Sequence, residues 1–237
     1  MRSGLAILAM GFILAGCEVV PSGPASTTQP IATATAPLRS AAAAEQSFNR
    51  MVARMEPVAE RICAERLGNS KCDFRISVDT RANQPANAFQ TVDGNGRPIL
   101  VFTTALIREA RNDDELAFIL GHEAAHHISG HLSRTRDSAV AGAVLGGLLA
   151  TLAGIDPSAI GTAQDLGATV GARRFSKDFE LEADRLGTII AFRAGYDPVR
   201  GAAYFGRIPD PGNRFLGTHP PNADRIDAVR RTMAGLR

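Results

Sequence analysis

The sequence predicts an α+β fold, a mostly helical body carrying a small antiparallel or mixed β-sheet. Two observations lead there. Strand-like residues are confined to one stretch between Phe74 and Thr103, whereas everything after Thr104 reads as helices and loops. The chain also holds enough apolar material for one ordinary domain plus extensions, with 237 residues of which 45% are hydrophobic. Charge excludes one class of partner. The 26 Lys and Arg against 24 Asp and Glu leave +2, and there is no Trp and only two Tyr. Nucleic-acid binders need a basic, aromatic-studded surface, so no nucleic acid is expected.

Residues 1–16 read as an export signal: Arg2, an apolar run from Leu5 to Ala15, then small residues. The run is too short to span a bilayer, which takes about 20 apolar residues. Leu14, Ala15 and Gly16 ahead of Cys17 resemble a bacterial lipobox, which puts cleavage before Cys17 and lipid on it; an ordinary cleaved signal is the alternative. Glu18 in place of Asp after the cysteine favours the outer over the inner membrane by analogy. Loss of residues 1–16 removes Arg2 alone. Attachment to a membrane is therefore expected from acyl chains, at about 0.8 kcal/mol per buried CH₂, and not from basic residues. From Glu18 to Ala44 the chain is mostly Pro, Ser, Thr and Ala, with one Glu and one Arg as its only charges, a composition that reads as a disordered tether. The expected organisation is a signal over 1–16, a lipidated Cys17 and tether over 17–44, and a folded domain over 45–237.

Residues 45–67 read as a helix stopped by Gly68 and Asn69. Once Cys17 is assigned to lipid, Cys63 and Cys72 remain, and an oxidising exported compartment would pair them. So short a closed loop is worth about 2.5–3 kcal/mol; two free thiols are the alternative. Phe74, Ile76 and Val78 alternate as a strand, and Ala88–Val92 with Ile99–Thr103 flank the turn residues Asp93, Gly94, Asn95 and Gly96 as a hairpin. Asn112 with Glu115 three residues on is a capping box, opening a helix that runs to about Ser129 before Gly130. Ser138–Ile155 is uncharged and Gly-rich, with Gly142 and Gly146 spaced as G-x-x-x-G. It is expected to form a mobile helical segment or loop over a cleft in preference to a membrane helix. Pro220 and Pro221 start a last helix whose Ile226, Val229, Met233 and Leu236 make an apolar stripe.

The scarce residues carry the chemistry. Four of five His, at 122, 126, 127 and 131, fall within ten residues. In HEAAH, His122 and His126 are four apart and present two imidazoles on one helix face. Glu123 is turned by about 100°, which puts its carboxylate beside a bound metal and within reach of water. A catalytic zinc needs a third protein ligand, and FELEAD at 179–184 offers Glu180 and Glu182. Glu180 is favoured because Asp184 lies one turn later on the same face, where it can accept the free N–H of a ligand imidazole. Glu182 is expected to be a solvated carboxylate. His127 is expected on the helix surface or in packing, and His131 at the helix end, where charge and capping suffice to explain it; an approach to the site from the loop is the alternative. Two His and one Glu suit zinc.

HEAAH, the later E-x-x-x-D of FELEAD and THPPNADRI at 218–226 together resemble the HtpX-type zinc peptidases, the family that includes the CAAX prenyl endopeptidases and the periplasmic BepA- and LoiP-like proteases. The likeness also runs through NAF at 87–89, ILVFTTAL at 99–106, NDDELAFILGHEAAHH at 112–127 and AGYDP at 194–198. It implies a zincin-like metallopeptidase domain holding one zinc ion on His122, His126 and Glu180, with Glu123 as base and Asp184 as orienting residue. It further implies that His219 stabilises the oxyanion or gates the metal, that Arg225 assists there, and that substrate pairs with a sheet edge, taken as Ile99–Thr103. The multi-span members' membrane helices have no counterpart except 138–155. The resulting expectation is an exported, lipid-anchored zinc metalloendopeptidase acting on misfolded or misassembled envelope proteins, with envelope assembly machinery as a candidate partner. The alternatives are a periplasmic chaperone or assembly factor of the same fold with cleavage rare or gated, and a cell-wall amide hydrolase.

Overall fold

The computed structural model describes residues 38–236 apart from 69–70, 175 and 214–218, all within a unit spanning 36–237. The signal, Cys17 and the tether up to residue 37 lie outside the described residues. Helix α1 (Ala41–Leu67) begins four residues before the expected start. Ser40 is the reason: its hydroxyl accepts the Ala43 N–H at 3.3 Å, and Ala44 is already buried. Phe48, Met51, Met55, Ala59 and Ile62 then recur at three- and four-residue spacing and bury one face. The helix stops at Gly68, φ 67°. Cys63 and Cys72 are joined by a disulfide with Cα atoms 5.6 Å apart.

The sheet has three strands, β1 (Arg75–Asp79), β2 (Ala88–Val92) and β3 (Pro98–Thr103), in the order β1-β3-β2. β1 runs parallel to β3 and β2 antiparallel to it, Phe89 facing Val101. In the hairpin turn the Asp93 carboxylate accepts the N–H of Asn95 at 2.8 Å and of Arg97 at 3.0 Å. One expectation is corrected here. Ile99–Thr103 is the central strand, paired on both sides with Leu100 and Phe102 fully buried, and offers no free edge; the edge strands are β1 and β2.

After the short α2 (Thr104–Glu109) comes α3 (Asp113–Ile128), the core of the helical body and buried on nearly every face. Its start is clamped. Asn112 accepts the Glu115 N–H at 3.1 Å. The Glu115 carboxylate reaches the N–H of Arg111 at 2.8 Å and is held by both terminal nitrogens of Arg207 at 2.7 Å. The capping box is thus shifted by one residue, with the carboxylate shared between the Arg111 N–H and the Arg207 guanidinium. Asp114, also buried, binds Arg200 and the Asp197 N–H. Three acids in the first turn complement the helix dipole.

Gly130 in the left-handed region (φ 65°) turns the chain into α4 (His131–Leu152), which packs along α5 (Ile160–Arg174). Here the G-x-x-x-G residues serve an intramolecular contact. A Cβ at Gly142 would run into the Gly167 carbonyl and one at Gly146 into that of Ala163. The stretch 138–155 is therefore one arm of a helical hairpin and not a loop over the cleft, since only the base of α4 lines that cleft. Among the described residues no helix is long and apolar enough to cross a membrane. α6 (Ser176–Arg193) crosses α3, α7 (Pro198–Ala202) covers the α3 start, and α8 (Asn222–Ala234) closes the body. In α8 Val229 and Met233 are buried and Ile226 packs on the core, but Leu236 lies beyond the helix end and is exposed.

Candidate metal centre

The α3–α6 crossing is set by two glycines. A Cβ on Gly187 would sit 2.7 Å from the His122 nitrogen, and one on Gly121 2.7 Å from the Gly187 carbonyl oxygen. Backbone-to-backbone contact at the residue before His122 brings α6 close enough for its carboxylates to reach the imidazoles. His122, His126 and Glu180 each offer one ligand atom, and these atoms lie within 4.8 Å of one another. The two Nε2 atoms are 3.0 Å apart, and Glu180 lies 3.5 Å from His122 and 3.3 Å from His126. Two nitrogens and a carboxylate oxygen converging on one point form a donor set that a divalent ion such as zinc fits. Glu123, next in sequence to His122, is buried and lines the same cleft.

Asp184 is fully buried. It lies 2.9 Å from His122 Nδ1 and takes two hydrogen bonds from Arg225 at 2.8 and 2.7 Å, while the Arg225 guanidinium lies over the Phe205 ring at 3.9 Å. Burial and the Arg225 charge push His122 down, but the hydrogen bonds to Asp184 and Glu180 outweigh them and hold it up to about 9. Burial likewise opposes the charge on Glu180, yet its two imidazole partners keep its carboxyl well below the usual range. Arg225 also lies 3.4 Å from Glu180 and so joins ligand, support and ring. His219 is half exposed on the cleft wall, its Nε2 3.9 Å from Glu180.

The cleft has a volume of about 700 Å³. β2 and the residues before it, Ala86–Gln90, form one wall, α3 with Phe118, Ile119 and Glu123 the floor, and Tyr204, Phe205 and Ile208 the far side. Among the described residues β2 pairs with β3 alone, so its outer edge runs beside the imidazoles.

Two expectations change. His131 is not a helix-end residue satisfied by capping: it is buried, its Nδ1 is 2.8 Å from His126 Nδ1, and its Nε2 is 3.2 Å from Glu182. Burial pushes its pKa down to about 4. Glu182, half exposed, is no lone solvated carboxylate, for it binds both His131 and Arg134, the latter at 3.0 Å. The signal was the glycine between His127 and His131, since a left-handed residue there folds the second imidazole back onto the helix it leaves. His127 packs as expected, edge-on to Phe74 with Nε2 2.7 Å from the Lys71 carbonyl, and so ties α3 to the disulfide loop.

A helix presenting two imidazoles to a carboxylate on a crossing helix, with a further carboxylate and a strand edge in the same cleft, defines a site of the metallopeptidase class. Sequence comparison agrees. Residues 46–233 match the model of peptidase family M48, and the chain belongs to that family. It is 32% identical over 161 residues to the beta-barrel assembly-enhancing protease of Yersinia pestis, covering 62% of this chain and 32% of the relative. To the protein of the same name from Escherichia coli it is 30% identical over 163 residues, covering 63% and 33%. The mitochondrial metalloendopeptidase OMA1 of Arabidopsis thaliana is 30% identical over 148 residues, covering 60% and 29%. The chain spans about a third of the length of these curated relatives.

Proposed function

We propose that this metallopeptidase is a zinc endopeptidase of the bacterial envelope, anchored through lipid on Cys17 and acting on misfolded or misassembled envelope proteins. One observation carries the catalytic part of the reading: the ligand atoms of His122, His126 and Glu180 meet within 4.8 Å on the floor of a cleft that also holds Glu123. A zinc ion bound there supplies Lewis acidity toward a peptide carbonyl and toward water. Glu123 takes the proton from the attacking water and delivers it to the leaving amine. His219, on the cleft wall, donates to the developing oxyanion. Arg225 holds Asp184, and Asp184 fixes the His122 ring. An extended substrate adds to the β2 edge at Ala88–Gln90, which lines the cleft, in place of the central β3. The envelope assignment rests on the export signal and on the names of the relatives, and their assembly machinery is the proposed partner.

The test is Glu123→Gln in zinc-loaded protein assayed on casein. Loss of about 100-fold or more in turnover with zinc content unchanged is expected, and turnover equal to wild type removes Glu123 from the mechanism. The assembly-factor reading is favoured by the uncovered apolar face of α4, Val140, Val144, Leu148 and Leu152. Full rescue of a deletion phenotype by Glu123→Gln would select it.

A further inference from the structure

Each of the two imidazoles in the centre has its second ring nitrogen engaged, and the two supports differ. His122 Nδ1 meets Asp184 directly, at 2.9 Å. His126 Nδ1 meets another imidazole, His131 Nδ1, at 2.8 Å. Proton bookkeeping along this second line has one solution compatible with a metal. His126 Nε2 faces the ligand point, 3.0 Å from His122 Nε2 and 3.3 Å from Glu180, so its lone pair must be free and its proton must sit on Nδ1. His131 Nδ1 must then accept, which places the His131 proton on Nε2. That nitrogen has an acceptor waiting, Glu182 at 3.2 Å. The reverse ordering, with His131 donating to His126, would put a proton on the nitrogen that faces the metal.

The line is built and not incidental. The His131 ring is buried and lies flat on Phe179, centroids 4.6 Å apart and 10° between planes. Arg134 contacts the same ring of Phe179 at 4.2 Å and holds the Glu182 carboxylate at 3.0 Å. Gly130 places His131 at the first position of α4, five residues after His126 and back against it.

We propose that His131, oriented by Glu182, is a positioning residue of the metal centre: it accepts the His126 Nδ1–H and thereby fixes the tautomer and ring plane in which His126 Nε2 binds zinc. The inference rests on the zinc-site reading above. Outer partners of ligating imidazoles are worth about 10- to 100-fold in metal affinity or activity.

The experiment measures zinc affinity of the full chain by competition with a chromogenic chelator, together with the d–d absorption of the cobalt-substituted protein. His131→Phe keeps the stack on Phe179 and removes the acceptor; a zinc affinity lower by about 10- to 100-fold and an altered cobalt spectrum are expected. His131→Gln offers a carbonyl toward His126 and an amide toward Glu182 and is expected to restore most of the affinity. If His131 acted through packing alone, the apolar Phe would keep the affinity as well as Gln does. Wild-type affinity and spectrum in His131→Phe overturn the proposal. If His131→Phe does not fold, Glu182→Leu, changed at a half-exposed position, decides instead by the presence or absence of weakened zinc binding. Failure of the wild-type chain to bind zinc would overturn the underlying zinc reading itself, an outcome separate from equal binding by wild type and variant.

Discussion

Replacing Gly187 by Ala tests whether the α3–α6 crossing sets the metal centre. The added Cβ would stand 2.7 Å from the His122 nitrogen, 2.9 Å from the Gly121 carbonyl carbon and 2.9 Å from the His122 Cα. All three are backbone atoms, so no side chain can swing away and the helices must part by about half to one ångström to restore ordinary contact. Overpacking of this kind costs about 1–3 kcal/mol, whereas Ala in a helix interior gains about 1 kcal/mol over Gly. The net expectation is a loss of up to about 2 kcal/mol, or a Tm lower by up to about 8 °C for a domain of this size. Parting the helices also lengthens the 2.9 Å contact of Asp184 with His122 and moves Glu180 off the ligand point, so zinc affinity should fall by at least about tenfold. Gly161 in α5 is the control, because a Cβ there meets nothing within 4 Å, and Gly161→Ala should leave Tm equal or raised. Thermal melts and chelator competition on the three proteins decide. A Gly187→Ala protein with wild-type Tm and wild-type zinc affinity would refute the claim that this contact sets the site.

Arg225→Ala leaves the fully buried Asp184 without its guanidinium, and breaking a buried pair from one side should cost about 3–5 kcal/mol in urea denaturation of the metal-free protein; a loss under about 1 kcal/mol would show that Arg225 does not neutralise it. Cys63→Ser with Cys72→Ser should cost about 2.5–3 kcal/mol by the chain-entropy argument, read as a lower urea midpoint with an m-value equal to or above wild type, since the unfolded chain loses a crosslink. Burial is the main reason that the His127 pKa is depressed in the folded state. Its contribution is therefore full above the ordinary pKa of about 6.5 and is lost as pH falls below it. The drop in Tm between pH 7 and 5, measured in chelator, should be smaller in His127→Phe than in wild type; an equal drop rules His127 out as a source.

The elements legible in the sequence are those whose signals are local. The hairpin turn, the Asn112 cap, the stops at Gly68 and Gly130 and the pairing of E-x-x-x-D on one helix face depend on neighbours within a turn, and each element stands where that signal put it, to within a few residues. What was not legible depends on partners distant in sequence. Strand order is one case: a hairpin of β2 and β3 is local, but which of them is the edge depends on β1 joining β3 in parallel. Glu182 is another. Counted along its own helix it points away from the face of Glu180 and Asp184, which is why it reads as solvated. It gains a role because the base of α4, fifty residues upstream, lies against that other face.

The same helix thereby supplies three carboxylates in five residues, with three different duties. Glu180 faces the ligand point, Asp184 one turn on meets His122, and Glu182, turned about 200° from Glu180, meets His131 behind His126. Both lines of support for the imidazoles of α3 therefore end on α6. A rigid shift of α6 would change the ligand and both supports together, whereas thermal disorder in any one side chain leaves the others in place. The glycine pair at 121 and 187 holds the two helices in backbone contact at the placement in which all three contacts are made. Because that placement is held by backbone contact, the ligand atoms should need little ordering to take up a metal. Preorganisation of this kind favours affinity by lowering the entropy lost at the site.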